Sequence, residues 1–438
     1  MKIYNTLTNS TEDFKSINEN EINMYVCGPT VNKRTHLGHM VPAIFFDTVA
    51  KYFRYKGYKV NYASNFTDVD DKIIATALEE GISEKEVSER YAKLYLDDLK
   101  KVNCTPVDYR PKVTNYIPQI IEFIELLLEK GYAYKQGDDV YFNVKKVDNY
   151  GILSNQKIEN LEYGNRIDVS EHKENPFDFV LWKKTDNGIK WDASFGTGRP
   201  GWHTECVVMI NNIFKGKIDI HGGGIDLRFP HHENEIAQSE AAWGHTLANY
   251  WMHNGHLLMD GVKMSKSLGN VLSLDDVLKD YTANSVRLAI LKNYYRTPLN
   301  LSDTLFKESM TIDEKVNNAL KSANLYIQVN NLKINEVKND DEFEKHMDND
   351  FNTSNTITYL LELVKNLNTV IREKNNTEIS QLYDKLNLVI DVLGLNYDLT
   401  ILSEDDINTY NKWIKAREEK NYEEADIYRE ALVQNNIL

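Results

Sequence analysis

Cysteine is nearly absent: three residues in 438, at Cys27, Cys104 and Cys206. An odd, sparse count excludes a disulfide framework and reads as a reducing, cytoplasmic setting. Proline is scarce at 9 and glycine at 21 is ordinary, which excludes collagenous and Pro/Gly-rich low-complexity chains. No stretch of 18 apolar residues occurs, so no membrane-spanning helix is predicted. The N-terminus, MKIYNTLTNSTEDF, lacks an apolar core and a small-residue cleavage site, so no secretory signal is predicted. Basic residues are outnumbered, 51 Lys and Arg against 66 Asp and Glu, a net charge of −15. Such a chain repels nucleic acid on average, but a local basic groove is compatible with it, because phosphate affinity depends on the patch and not the total.

What is present is enough apolar residue, 42%, to bury a core without a disulfide or a structural metal. The length suggests about three domains. Ile22–Cys27 reads as a short strand. Val41, Ile44, Phe45, Val49, Tyr52 and Phe53 then form one apolar helical stripe that Gly57 ends, and Lys59–Ala63 reads as the next strand. This β-α-β order implies a parallel pair and an α/β sheet. Helical patterns cover 73–103 and 113–132, an irregular strand-rich stretch runs to about 200, and α/β character returns over 201–258. From about 273 nearly everything reads as helical, with a bundle over 305–395 and one more amphipathic helix over 407–432.

Four clusters carry chemistry. His36-Leu37-Gly38-His39 lies between the first strand and helix, where a parallel sheet binds ligands and a helix N-terminus favours an anion. Two imidazoles beside a glycine suit a nucleotide phosphate. The same residues could cap the helix, or pair on a metal. Lys263-Met264-Ser265-Lys266-Ser267, between Gly261 and Gly269, can act as a mobile lysine clamp on phosphates or as a solvated basic loop. His221-Gly222-Gly223-Gly224-Ile225-Asp226 follows a strand and could be no more than a flexible turn. Its glycines could leave backbone open to a ligand, and Asp226 could accept from a ribose hydroxyl or an ammonium. Asn65–Lys72 piles up carboxylates that suit a helix N-cap as well as a site.

A metal centre is a further possibility. Cys27, Cys206, His231 and Glu235 are acceptable zinc ligands, and His231 and Glu235 share a helical face. Cys27 and Cys206 stand 179 residues apart, which is not zinc-finger spacing and points to a site assembled from several elements. His203, His232 and Glu233 could substitute on spacing alone. The alternative is two buried cysteines acting as small apolar residues. Cys104 has no nearby partner and reads as inert.

In their order, these motifs resemble the class I aminoacyl-tRNA synthetases, and within them the cysteinyl-tRNA synthetases. The resemblance runs from YNTLT through MYVCGPTV, HLGH, NFTDVDDKI, NPFDFVLWK, GRPGWHTEC, DIHGGGIDLRFPHHENEIAQSEA and KMSKS to YRTPLNLSD at Asp303. It implies a Rossmann-type parallel catalytic core split by a connective insertion, then an all-α helical bundle. The implied boundaries are 1–104 and 201–258 for the core halves and 105–200 for the insertion. Residues 259–304 would be the KMSKS loop and stem-contact region, 305–395 the anticodon-binding bundle, and 396–438 a short helical element. HLGH would be the family's HIGH motif, and His36, His39, Lys263 and Lys266 the catalytic groups. His36, Gly38, His39, Gly223, Asp226 and Lys266 would contact ATP. Gly28, Thr67, Trp202 and His221 would line the cysteine pocket. Cys27, Cys206, His231 and Glu235 would hold one Zn²⁺ per chain, with Mg²⁺ accompanying ATP.

The implied reaction is ATP-dependent activation of L-cysteine and its transfer to tRNA(Cys) by a cytoplasmic monomer, with no membrane and no editing domain. A related ligase passing cysteine to a small amine is the alternative, against which the extra helical residues argue. Two departures stand out. Met40 and Val41 replace the basic residue that usually follows the HIGH motif. The sequence also stops at Leu438, before the Gly-Trp element usual in the family, so anticodon reading is the part least implied.

Overall fold

The computed structural model describes residues 1–155, 173–259, 261–263, 272–334, 337, 339–435 and 437. The chain divides into two units. The first takes 1–280 together with 294–301 and 349–351; the second takes the helical remainder. Among the described residues no helix is long and apolar enough to cross a membrane.

The first unit opens with an antiparallel pair, β1 (Lys2–Asn5) and β2 (Ser10–Asp13). Its central sheet holds β3 (Glu21–Val26), β4 (Lys59–Ala63), β9 (Ile218–Gly224) and β10 (Ala248–Asn254), all parallel, in the order β10-β9-β3-β4. The chain leaves β3 for β4 on one side and later places β9 on the other. The strand order therefore reverses between β3 and β9, where an open α/β sheet forms its crevice. Helix α1 (Leu37–Tyr55) connects β3 to β4. Its predicted apolar stripe, including Ile44, Phe45, Val49 and Phe53, is buried.

The pattern over 73–103 is two helices, α2 (Asp71–Glu80) and α3 (Glu84–Lys101). Gly81 caps the first in the left-handed conformation, and a Ser83–Glu86 capping box starts the second. Helix α4 (Ile117–Glu129) follows. The strand-rich stretch is an antiparallel sheet of β5 (Ala133–Gln136), β6 (Asp139–Phe142), β7 (Phe179–Lys183) and β8 (Arg199–Pro200). Helices α5 (Glu205–Phe214) and α6 (Glu233–Trp243) complete the layer beside β9 and β10. One apolar cluster, including Val140, Trp182, Met209 and Trp251, joins this sheet to the central one. A further sheet holds β11 (Leu257–Met259), β12 (Val262–Lys263) and β13 (Leu299–Leu301), ahead of the short α7 (Leu274–Val277). Strand β13 is the exception to the helical pattern expected after 273.

The glycine run is a correction. Gly222, Gly223 and Gly224 are part of β9 and not a turn after it. A Cβ on Gly222 would lie 2.2 Å from the Phe46 ring of α1, and one on Gly223 would crowd Leu227 and His232. These two glycines let helix and histidine pack on the strand.

The second unit is all helical: α8 (Ala283–Leu291), α9 (Asp303–Val329), α10 (Asp341–Met347), α11 (Thr353–Glu373) and α12 (Asn376–Leu393), then α13 (Glu404–Glu418) and α14 (Tyr422–Gln434). Buried Arg287 donates to the Leu393 carbonyl at 2.8 Å, tying α8 to the end of α12. The single helix expected over 407–432 is two. Lys420 takes a positive φ, and Asn421 caps a new helix by accepting from the Glu424 amide.

Candidate active site

The carboxyl ends of the central strands face a cavity of about 720 Å³. Of the predicted residues, Cys27, Gly28, His36, Gly38, His39, Trp202 and Asp226 line it. Cys104, read as inert, lines it too.

His36 is the N-cap of α1, and its Nδ1 accepts from the Gly38 amide at 3.1 Å. His39 Nδ1 accepts from the His36 amide at 3.2 Å, closing a capping box. Both nitrogens being acceptors places the proton of each neutral ring on Nε2. The capping and ligand-binding readings of this motif are therefore compatible: Nδ1 caps, and Nε2–H is the donor each ring offers. The helix amides are a different matter. Leu37 N donates to Leu272 O at 3.0 Å, and His39 N to His36 O at 2.9 Å. With Gly38 N taken by His36, the first three amides of α1 already have acceptors. With these first-turn donors engaged, an anion at this helix N-terminus would meet side chains rather than free amides.

Gly28 follows β3. Its amide donates to Asn65 Oδ1 at 2.8 Å, and a Cβ there would lie 1.7 Å from the Asn65 carbonyl oxygen. Asn65 therefore sets the backbone beside Cys27, and only glycine fits. Trp202 is 40% exposed and stacks on His231, with centroids 4.2 Å apart and planes 20° apart.

Behind the wall lie Thr67, Cys206, His221, Gly223, His231 and Glu235, all buried. Cys27 Sγ and Cys206 Sγ are 3.7 Å apart. Cys27 Sγ is 3.8 Å from Glu235 Oε1, and His231 Nε2 is 2.8 Å from that same oxygen. Donor atoms of Cys27, Cys206, His231 and Glu235 all lie within 4.8 Å of one another. A second set shares two of them: Cys27, His221, His232 and Glu235. His232 Nε2 is 3.4 Å from Cys27 Sγ, and His221 Nε2 is 2.5 Å from Glu235 Oε2.

The electrostatics of this cluster favour a cation. A hydrogen bond from Cys27 brings the Cys206 thiol down to about 6 against the effect of burial, with His231 adding to it. Burial, then Cys206, pushes Cys27 well up. Burial works against charging His231, but Glu235 and Cys206 beside it raise it to about 10. Glu235 is held well below the usual carboxylate range despite burial, by His221 and His231. Cys206 held toward the thiolate and Glu235 held as the carboxylate are the forms that would meet a cation. Two thiolates on one tetrahedral zinc, each about 2.3 Å from it, stand roughly 3.8 Å apart, and the observed sulfur separation matches this. The residues fit a zinc ion.

The supporting residues are specific. His203 Nδ1 is 3.1 Å from His231 Nδ1, and burial brings His203 down to about 3. Neutral His203 thus accepts a hydrogen bond from His231 Nδ1–H, which turns His231 Nε2 toward Glu235, and acts as an outer partner of the cluster. His232 Nδ1 meets His253 Nε2 at 2.8 Å, and His253 Nδ1 meets Thr6 at 2.9 Å. Thr67 donates to buried Glu205 at 2.8 Å. His253 and Glu205 were not anticipated, because only the fold brings them to these neighbours. Glu233, a possible ligand on spacing, instead accepts the amides of Gly151, Leu153 and Ser154. The other carboxylates are structural too: Asp68 binds Thr114, Asp70 caps α2, and Asp71 pairs with Lys183 and Arg199. The backbone of Lys263 ends β12, while Lys266 lies outside the described residues.

A family model for the class I (C) tRNA synthetase catalytic domain matches residues 13–311, and one for the DALR domain matches 342–397. The chain is 46% identical over 440 residues to a cysteine–tRNA ligase of Acholeplasma laidlawii, covering the whole of both chains. The chain belongs to the cysteine–tRNA ligase family. It is also 44% identical to such a ligase from Fusobacterium nucleatum, over all of this chain and 97% of the relative. Among solved structures it resembles a Mycobacterium tuberculosis methionyl-tRNA synthetase in complex with methionyl-adenylate. That match has TM-score 0.62 at 13% identity and covers 85% of this chain and 89% of the other. At that identity the likeness speaks for the class I fold alone.

Proposed function

We propose that this chain is a ligase that activates L-cysteine with ATP and transfers it to the 3′ end of tRNA(Cys). The observation that carries this reading is the Cys27–Cys206–His231–Glu235 cluster placed against a cavity that His36 and His39 line. In the first step a carboxylate oxygen of cysteine bonds to the α-phosphorus of ATP as the bond to pyrophosphate breaks. The carboxylate is already ionised, so no general base is needed, and catalysis is positioning and charge stabilisation. His36 and His39 donate from Nε2 to phosphate oxygens, together with Lys263, Lys266 and the Mg²⁺ that accompanies ATP. Gly38 lets the phosphates approach, Asp226 accepts from the ribose, and Gly223 lets Leu227 and His232 pack on the strand beneath them. In the second step the terminal tRNA hydroxyl attacks the adenylate carbonyl, and AMP leaves with the bonding pair.

Cys27, Cys206, His231 and Glu235 would hold the zinc, and a soft metal there favours a thiolate sulfur over a hydroxyl oxygen. Gly28, Thr67, Trp202 and His221 shape the pocket around the amino acid. Such contact with the distinguishing atom can reject an analogue by about 10⁴ or more without editing, so no editing site is required. The chain acts as a monomer in the cytoplasm in this reading.

Transfer to a small amine is the second reading, and the DALR match over 342–397 disfavours it. The test is exchange of labelled pyrophosphate into ATP by zinc-replete protein. Exchange that depends on cysteine and is at least about 10³-fold weaker with serine is expected. No cysteine-dependent exchange would refute activation of cysteine altogether.

A further inference from the structure

We propose that Asp275 is a positioning residue for the activation step, holding the loop that carries His36 to the point where the chain leaves the Lys263–Ser267 motif. This rests on the roles proposed above for those two motifs. Asp275 lies on α7, just after that motif, and does not line the cavity.

Six contacts build the tie. Arg34 NH2 reaches both Asp98, at 3.3 Å, and Asp275. Lys101 Nζ reaches the same two carboxylates, at 3.2 Å and 2.5 Å. Thr35 Oγ1 donates to Asp98 Oδ2 at 2.9 Å. The amide of Leu37 donates to Leu272 O at 3.0 Å. Arg34, Thr35 and Leu37 flank His36 on both sides, and Leu272 and Asp275 follow the lysine motif.

The two carboxylates are unlike. Asp98 is fully buried with three donors, a fixed anchor on α3. Asp275 is 44% exposed on its side chain. Its two cations are those that bind the anchor, so it joins α7 to a point already set. A displacement of about 1 Å in catalytic groups can cost 10²-fold in rate, and this tie holds the residues on both sides of His36.

The experiment uses the full-length, zinc-replete protein. Asp275→Asn, Arg34→Gln and the double variant are compared with the parent in cysteine-dependent exchange. Each single change is expected to lower kcat about fivefold, the upper range for an exposed ion pair. The KM for cysteine should stay unchanged in both. The melting temperature should stay unchanged in Asp275→Asn, while Arg34→Gln, which also takes a donor from buried Asp98, should melt lower. The double variant should be no slower than Asp275→Asn, because that change already loses both cation contacts of Asp275. Raising ionic strength should narrow the gap between parent and variants, since exposed charges are screened. Rates equal to the parent, losses that multiply in the double variant, or a loss in Asp275→Asn that follows its melting temperature would overturn the assignment while leaving the ligase reading intact. A parent without exchange removes both.

Discussion

Cys206→Ala is expected to empty the metal centre and abolish the preference for cysteine. Cys206 is 2% exposed, its sulfur lies 3.7 Å from Cys27, and it is the thiol of the pair held toward the thiolate. Removing it leaves one sulfur, one imidazole and one carboxylate. Zinc measured by atomic emission should drop from one per chain to none that survives dialysis. The cysteine-to-serine ratio in pyrophosphate exchange should fall by about 10³ or more. The His36–His39 end of the cavity does not touch Cys206, so ATP protection in a thermal melt should persist. Cys206→Ser, which keeps the volume, guards against a packing defect and should give the same result. Two overlapping donor sets exist, and the experiment separates them. Zinc retained by Cys206→Ala but lost by His232→Ala would place the ion on Cys27, His221, His232 and Glu235 instead.

His39→Asn and His39→Gln form the second test. The ring does two jobs: Nδ1 accepts from the His36 amide at 3.2 Å, and Nε2 offers the proton. An asparagine oxygen can occupy the Nδ1 place and keep the cap, but it offers no donor where Nε2–H stood. Its melting temperature should match the parent, while kcat for exchange falls by about 10²–10³, the loss for one charge-stabilising donor. Glutamine reaches the Nε2 place with its amide only by giving up the cap that its oxygen would otherwise close. It should lose about 1 kcal/mol of stability and retain more activity than asparagine. The reverse ranking would make His39 a capping residue only. KM for cysteine should change little in either, because the ring faces the phosphate end of the cavity.

Much of this arrangement was legible in the sequence, for local reasons. The stripe from Val41 to Phe53, the strands around it and the motif order carry the sheet. Helix breaks at Gly81 and Lys420 were also written locally, as Ser83-x-x-Glu86 and Asn421-x-x-Glu424, and reading through them merged pairs of helices. What was not legible depends on distant partners. The amide of Leu37 is engaged by Leu272, 235 residues away, a partner that spacing could not show. Gly222 looked like a turn, whereas its lack of a side chain answers to Phe46. Spacing could not separate His203 from His231, but the ring-to-ring contact does, making one the support of the other. Glu233 likewise needed the three amides of Gly151, Leu153 and Ser154 to show its purpose.

Charging of purified tRNA(Cys) with labelled cysteine by the full-length, zinc-replete chain tests the central claim most directly. The account predicts a cysteinyl ester on the tRNA 3′ end, dependent on ATP and formed with one AMP per ester. It predicts none with a tRNA whose terminal adenosine is removed. Pyrophosphate exchange without any ester, accompanied by AMP release when small amines are added, would contradict it and make this chain a cysteine-activating ligase of another acceptor.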